Sequence, residues 1–225
     1  QQIIDGIMKE EIYFSDEHKM LRDMVREFAH NEVKPLAQEL DEKGEFPHES
    51  VNKMANLGLM GIPWEEKYGG TGMDTLALVI AIEEIGKVCC STAATLMAHT
   101  SLGTAPIVMF GTEEQKKKYL PGLASGRQIG AFGLTEPNAG SDAGNIQSRA
   151  VLDGDHYIVN GEKAFCTNAG VSSVLIFTAV IVENDKEKGI CAFVVKSDTK
   201  GISFNPPEKK MGWCASDTRS VFFND

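Results

Sequence analysis

Paired cysteines, long apolar runs and basic residues are all scarce in this 225-residue chain, and each shortage closes off a class of protein. The five cysteines (Cys89, Cys90, Cys166, Cys191 and Cys214) are odd in number and show no C-x-x-C spacing, so no disulfide framework and no zinc or other metal site is expected. Free thiols of this kind suit a reducing, cytoplasmic setting. Cys89 and Cys90 read as two small buried residues on a helix. The longest apolar stretch, residues 171–182, is interrupted by Ser172, Ser173 and Thr178 and is too short to span a bilayer. The acidic start lacks the apolar centre of a signal peptide, and Met8 reads as a native start after a few extra residues. Lys+Arg is 22 against Asp+Glu 32, a net charge of −10. Such a surface repels nucleic-acid phosphates and anionic lipid, so neither nucleic acid nor membrane is expected as a partner. A small anionic ligand remains compatible, because local geometry can outweigh net charge.

The first half carries the helical period. Over residues 16–40, Leu21, Val25, Phe28, Ala29, Val33, Leu36 and Leu40 recur in steps of three and four, so they share one face. Ser15 caps this helix and Gly44 closes it. Further helices are expected over 48–57, 74–86 and 91–110, with a Gly-rich loop over 63–72. Thr112 caps a last one, with Glu113 and Glu114 in its favourable first turn. Past Gly126 the texture becomes that of strands, over 129–134, 148–152, 157–159, 163–167, 174–182, 190–196, 202–205 and 221–223. Asp153-Gly154 and Asn160-Gly161 accept positive φ and suit hairpins. The fold class is therefore α+β: an all-α N-terminal domain over 1–127, then a β-barrel domain over 128–225. There is no internal repeat. The last residues read as a strand just finishing, with nothing after it to cover the barrel.

Two segments carry chemistry. Phe132-Gly-Leu-Thr-Glu-Pro-Asn-Ala-Gly-Ser-Asp142 leaves a strand for a loop rich in Gly, Pro and Asn, whose backbone N–H groups can bind anionic or carbonyl oxygens. Thr135 and Ser141 add hydroxyls, and Gly140 permits close approach. On its own the loop reads equally well as a generic turn. Asn160-Gly-Glu-Lys-Ala-Phe-Cys-Thr-Asn-Ala-Gly170 ends a strand in aromatic, small and hydroxyl residues, a combination suited to a flat heteroaromatic ring, although Phe165 alone reads more simply as core. Glu136, in the Thr-Glu-Pro turn, is expected to make structural hydrogen bonds. His99 reads as a satisfied core histidine rather than a pocket wall, and Lys116 to Lys118 as a solvated helix face.

Together with Gly58-Leu-Met-Gly-Ile-Pro63, Tyr68-Gly-Gly-Thr-Gly72, Glu83-Glu-Ile-Gly86, Phe110-Gly-Thr-Glu-Glu-Gln115 and Ser216-Asp-Thr-Arg219, these segments resemble the acyl-CoA dehydrogenase family along essentially the whole chain. The likeness is greatest to its short-chain, butyryl-CoA-like bacterial branch. The resemblance implies a homotetrameric FAD enzyme of fatty acid metabolism that α,β-dehydrogenates an acyl-CoA and passes electrons to electron-transfer flavoprotein or a bifurcating partner. It places FAD on Phe132, Gly133, Leu134, Thr135, Glu136, Pro137, Asn138, Ala139, Gly140 and Ser141, and on Phe165, Cys166 and Thr167. Phe132, Leu134 and Thr135 would border the pyrimidine side of the ring, Phe165 would pack on it, and the Thr167 hydroxyl would stand near N5. Ser141 would also contact CoA. The family's base is a carboxylate in a C-terminal four-helix domain, expected to be absent here, so no residue of this chain is assigned as catalytic. Two departures stand out: Cys214 occupies the place of a frequent Arg, and Phe165 replaces a frequent Trp, losing its indole N–H. A reductase running the reaction backwards, a flavin oxidase or monooxygenase of the same fold, and a non-catalytic binding module are the alternatives.

Overall fold

The computed structural model describes residues 13–225; Gln1 and Met8 lie outside the described residues. Helix α1 (Asp16–Phe28) begins where the sequence places it: Ser15 Oγ accepts from the His18 N–H, and His18 Nδ1 accepts from the Ser15 N–H. It continues through a π-helical turn (Ala29–Val33) into α2 (Lys34–Lys43), which ends on Gly44 in the left-handed conformation. Then come α3 (His48–Asn56), α4 (Thr75–Gly86), α5 (Cys90–Met97), a second π turn (Ala98–Leu102), α6 (Ala105–Phe110) and α7 (Glu113–Ala124), the last opened by a reciprocal cap between Thr112 and Gln115. Leu21, Val25 and Phe28 meet Val51, Met54, Ala77, Ala81, Ile85 and Leu96 in one core. Glu84, buried beside it, is gripped at 3.0 Å by the Arg26 fork and at 2.8 Å by Lys87.

The helix expected over 91–110 is broken. In the π turn the hydroxyls of Thr100 and Ser101, and just after it that of Thr104, donate to the Leu96, Met97 and His99 carbonyls, groups that a regular ladder would pair. The break turns His99 into the junction with the sheet. Its Nδ1 accepts from the Gly130 N–H at 3.0 Å, and its Nε2 lies 3.1 Å from the Leu123 carbonyl. Full burial lowers its pKa to about 4, so the ring is neutral with the proton on Nε2. By length and composition Cys90–Phe110 is apolar enough to cross a membrane, longer than the stretch 171–182, and more than half of it is buried inside the protein. Cys89 is buried as expected, whereas Cys90 is exposed at the helix start.

Among the described residues the sheet has seven strands: β1 (Gly130–Gly133), β2 (Arg149–Asp153), β3 (His156–Thr167), β4 (Val174–Glu183), β5 (Lys186–Lys196), β6 (Ile202–Phe204) and β7 (Thr218–Phe223). β4 is central, with β1 and β2 parallel along one edge and β5 antiparallel along the other. β3 pairs first with β2 and then with β7, which carries β6. The sheet curls into a half-barrel around Leu175, Phe177, Ala179, Val221 and Phe223, with the Phe177 and Phe223 rings 4.2 Å apart. Asn160-Gly161 is therefore not a hairpin. It is the bend at which one continuous strand changes partners, and Gly161 is held against Ser148, whose Oγ would lie 2.3 Å from a Cβ there. The hairpin expected at Asp153-Gly154 does form, one residue on: Asp153 pairs with His156, and Gly154, at positive φ, and Asp155 make the loop; a second two-residue hairpin that the sequence did not announce joins β4 to β5 through Asn184 and Asp185, both at positive φ.

Candidate active site

The loop leaving β1 and the end of β3 lie side by side, joined by three bonds. Cys166 Sγ reaches the Phe132 carbonyl at 3.2 Å, Lys163 Nζ the Leu134 carbonyl at 3.2 Å, and the Ala164 N–H the Thr135 carbonyl at 2.7 Å. The loop then reverses over Pro137-Asn138, with Glu136 and Ala139 exchanging backbone hydrogen bonds of 3.0 and 3.1 Å.

Beneath this turn sits a buried ion pair. Lys163 is fully buried and donates to Glu136 Oε1 at 2.7 Å and to Thr178 Oγ1 at 3.3 Å. Glu136 also accepts from the Ser148 N–H at 3.1 Å and from the Gln147 N–H. Burial alone would raise the Glu136 pKa, but Lys163 and these donors outweigh it and hold the carboxyl below its ordinary value. Burial in turn lowers the Lys163 pKa, against the pull of Glu136. With its oxygens committed inward, Glu136 scaffolds the loop. Ala139 and Cys166 also face inward, and burial pushes the Cys166 thiol up to about 12, so it is inert as a nucleophile.

What remains outward is a rim. Leu134, Pro137, Asn138, Gly140 and Ser141 are exposed, Phe132, Thr135 and Thr167 are partly so, and Gly133 is buried. Gly140 has an ordinary φ and open space where a Cβ would stand, so neither conformation nor packing within the chain requires glycine there. Phe165 is the outlier. The β3–β7 ladder breaks between Lys163 and Cys166, and at the bulge Phe165 takes a φ of 54° with its side chain turned outward, 67% exposed. A left-handed non-glycine residue costs about 1–2 kcal/mol, and a ring so exposed gains little burial to offset it. Strain of this kind concentrates at ligand sites. The exposed ring, the hydroxyls of Thr135, Ser141 and Thr167, and the open backbone at Gly140 suit a flat, polar-edged ligand.

Lys163 and Asn168, within the segment 160–170, and Asp217 and Arg219, within 216–219, belong to motifs the sequence displays, but nothing in the sequence gave these four a role of their own; their side chains bond under and beside this rim.

The chain matches the acyl-CoA dehydrogenase N-terminal domain over residues 15–127 and the acyl-CoA dehydrogenase middle domain over residues 131–225. It belongs to the acyl-CoA dehydrogenase family. It is 51% identical over 209 residues to the short-chain specific acyl-CoA dehydrogenase of Clostridium acetobutylicum, covering 93% of this chain and 55% of that protein. Among solved structures, one from work on the electron transferring flavoprotein of Acidaminococcus fermentans and flavin-based electron bifurcation matches with a TM-score of 0.89 and 41% identity, over 94% of this chain and 56% of that one. An acyl-CoA dehydrogenase of Bacillus anthracis complexed with FAD matches with a TM-score of 0.86 and 40% identity, over 95% of this chain and 37% of that one. The chain thus spans about half the length of the curated relatives it matches.

Proposed function

We propose that this chain is the flavin-holding part of an FAD-dependent acyl-CoA dehydrogenase acting on a short-chain acyl-CoA thioester. The observation that carries the reading is Phe165, an exposed aromatic ring on a strained backbone beside an open glycine loop. The relative complexed with FAD and the short-chain specific relative support the choice of cofactor and substrate class.

FAD supplies a hydride acceptor at N5 when bound. The chain's own residues do the rest by position. Phe165 would pack on the ring and keep water from one face. Phe132, Leu134 and Thr135 would hold its pyrimidine side, where donors favour the charge gained on reduction. Gly133 and the open backbone from Pro137 and Asn138 through Gly140 bring main chain close, while Glu136, Ala139 and Cys166 hold that backbone from beneath. Thr167 would offer the bound flavin a small hydroxyl without bulk that blocks hydride transfer, and Ser141 would contact CoA. The base that takes the α proton is not assigned to any residue of this chain. In the whole protein we expect electron-transferring flavoprotein as acceptor, a homo-oligomeric assembly and a cytoplasmic location.

Anaerobic addition of butyryl-CoA to the FAD-loaded enzyme carrying this chain tests the reading. The visible flavin absorbance should bleach, and faster than with a long-chain acyl-CoA. No bleaching by any acyl-CoA would overturn it.

A further inference from the structure

The regular ladder does not by itself fix where Thr167 stands. β3 and β7 pair as far as Lys163 with Val221, lose register at the Phe165 bulge, and resume for only two pairs, Cys166 with Arg219 and Thr167 with Thr218. Two pairs at a strand end fray unless something closes them. The closing element is Asp217. Its backbone carbonyl accepts from the Asn168 N–H at 2.8 Å, and its carboxylate Oδ2 accepts from the Gly170 N–H at 2.7 Å. Both groups therefore seize the segment immediately after Thr167. The other oxygen, Oδ1, accepts from Arg219 Nε at 2.7 Å, and Arg219 Nη1 donates to the Asn205 carbonyl at 3.2 Å. Asp217 is buried, with a side chain only 4% exposed, whereas the Arg219 side chain is 25% exposed.

The fit around this clamp is close. A Cβ on Gly170 would lie 2.1 Å from Arg219 Nε, so the guanidinium rests against the bare glycine. Asn168 adopts a left-handed φ of 66° and, from inside the turn, donates through Nδ2 to the Thr95 carbonyl of α5 at 3.2 Å. The clamp therefore ties together three things: the end of β3, the turn Ala169–Val171, and the helical domain.

We propose that Asp217, oriented by Arg219, is a positioning residue for the flavin: it fixes the turn that follows Thr167 and thereby sets the Thr167 hydroxyl against the ring edge. This rests on the FAD reading given above. Asp217 is buried, and it would act through the backbone of Asn168 and Gly170. Charge-assisted bonds to a buried carboxylate are short and strong, so they can hold such a turn against thermal motion.

The test uses the FAD-loaded enzyme with Asp217→Asn, which keeps the shape but loses the charge that orients Arg219, and Arg219→Lys, which keeps the charge but loses the fork. Glu84→Gln removes a buried, paired carboxylate from the helical domain and serves as the control for lost stability. Asp217→Asn should shift the visible flavin spectrum and the midpoint potential and lower kcat about tenfold to 100-fold with KM little changed, as misplacement of a reacting edge does. Arg219→Lys should lie between Asp217→Asn and wild type, and Glu84→Gln should leave spectrum and potential at wild-type values. Should Asp217→Asn fail to fold, Arg219→Lys carries the spectral test alone. A wild-type spectrum and potential in Asp217→Asn, or the same shift in Glu84→Gln, would overturn the proposal. Failure of the wild-type protein to bind FAD would instead overturn the FAD reading, and the two outcomes are distinct.

Discussion

Replacing Lys163 by Met should be among the most damaging single changes outside the apolar core. The ammonium is fully buried and bonds Glu136, Leu134 and Thr178 at 2.7, 3.2 and 3.3 Å. Methionine fills most of the same volume, so the loss is electrostatic rather than steric. Removing one member of a buried pair costs about 3–5 kcal/mol, because the other is left as an uncompensated charge. Glu136 keeps its bonds from the Ser148 and Gln147 N–H groups, which places the cost near the lower end. For a chain of this size about 3 kcal/mol lowers Tm by roughly 6–12 °C. Adding Glu136→Gln should recover part of the loss, giving a coupling of about 1–3 kcal/mol between the two positions. The Glu136 pKa is lowered from 4.5 in the folded state, so the stability it contributes is present above that value and fades as pH falls through the folded value. Denaturation of the two single variants and the double variant at pH 7 closes the cycle. A Lys163→Met loss below about 1 kcal/mol, or strictly additive effects, would refute the reasoning, since a buried pair of this geometry cannot be both intact and dispensable.

Three further outcomes follow from the same geometry. His99 has a folded pKa of about 4 against an ordinary 6.5, so the native state binds the proton less well than the unfolded chain; stability should be full above about pH 6.5 and fall by about 3 kcal/mol as pH drops toward 4, a slope that His99→Gln flattens in denaturation curves. Gly103→Ala should cost about 1–3 kcal/mol in Tm measurements, because its Cβ would lie 2.3 Å from the Gly130 backbone, whereas Gly140→Ala, with nothing within 4 Å, should cost almost nothing in stability yet weaken FAD binding in a fluorescence titration. Phe165→Gly relieves a left-handed φ of 54° and should raise the stability of the FAD-free protein by about 1 kcal/mol while lowering its affinity for FAD.

Much of this architecture was legible where local chemistry decides it. Ser15 and Thr112 announce their helices by the cap pattern, and Leu21, Val25 and Phe28 announce the buried face by spacing. The change from helices to strands after residue 126 was legible for the same reason. What sequence could not show were features set by distant partners. The π turn at Ala98–Leu102 carries His99 to Leu123 and Gly130, partners far along the chain. Asn160-Gly161 carries a hairpin signature but lies within one strand, because β2 and β7 take successive halves of β3. At the site, the rim from Phe132 to Ser141 and from Phe165 to Thr167 was read through resemblance. The strain at Phe165 and the grip of Asp217 on Asn168 and Gly170 arise from residues that meet only in the folded chain.

The account stands on the grip of Phe165 and its facing loop on a flavin ring, and flavin titration of the purified protein tests this most directly. Saturable FAD binding, with wild-type protein about tenfold tighter than Phe165→Ala, is the predicted result, since a stacked ring contact is worth about 0.5–1.5 kcal/mol beyond the apolar area it buries and about 1.4 kcal/mol is tenfold. A protein that stays colourless after reconstitution with excess FAD, or a Phe165→Ala variant that binds as tightly as wild type, would contradict it.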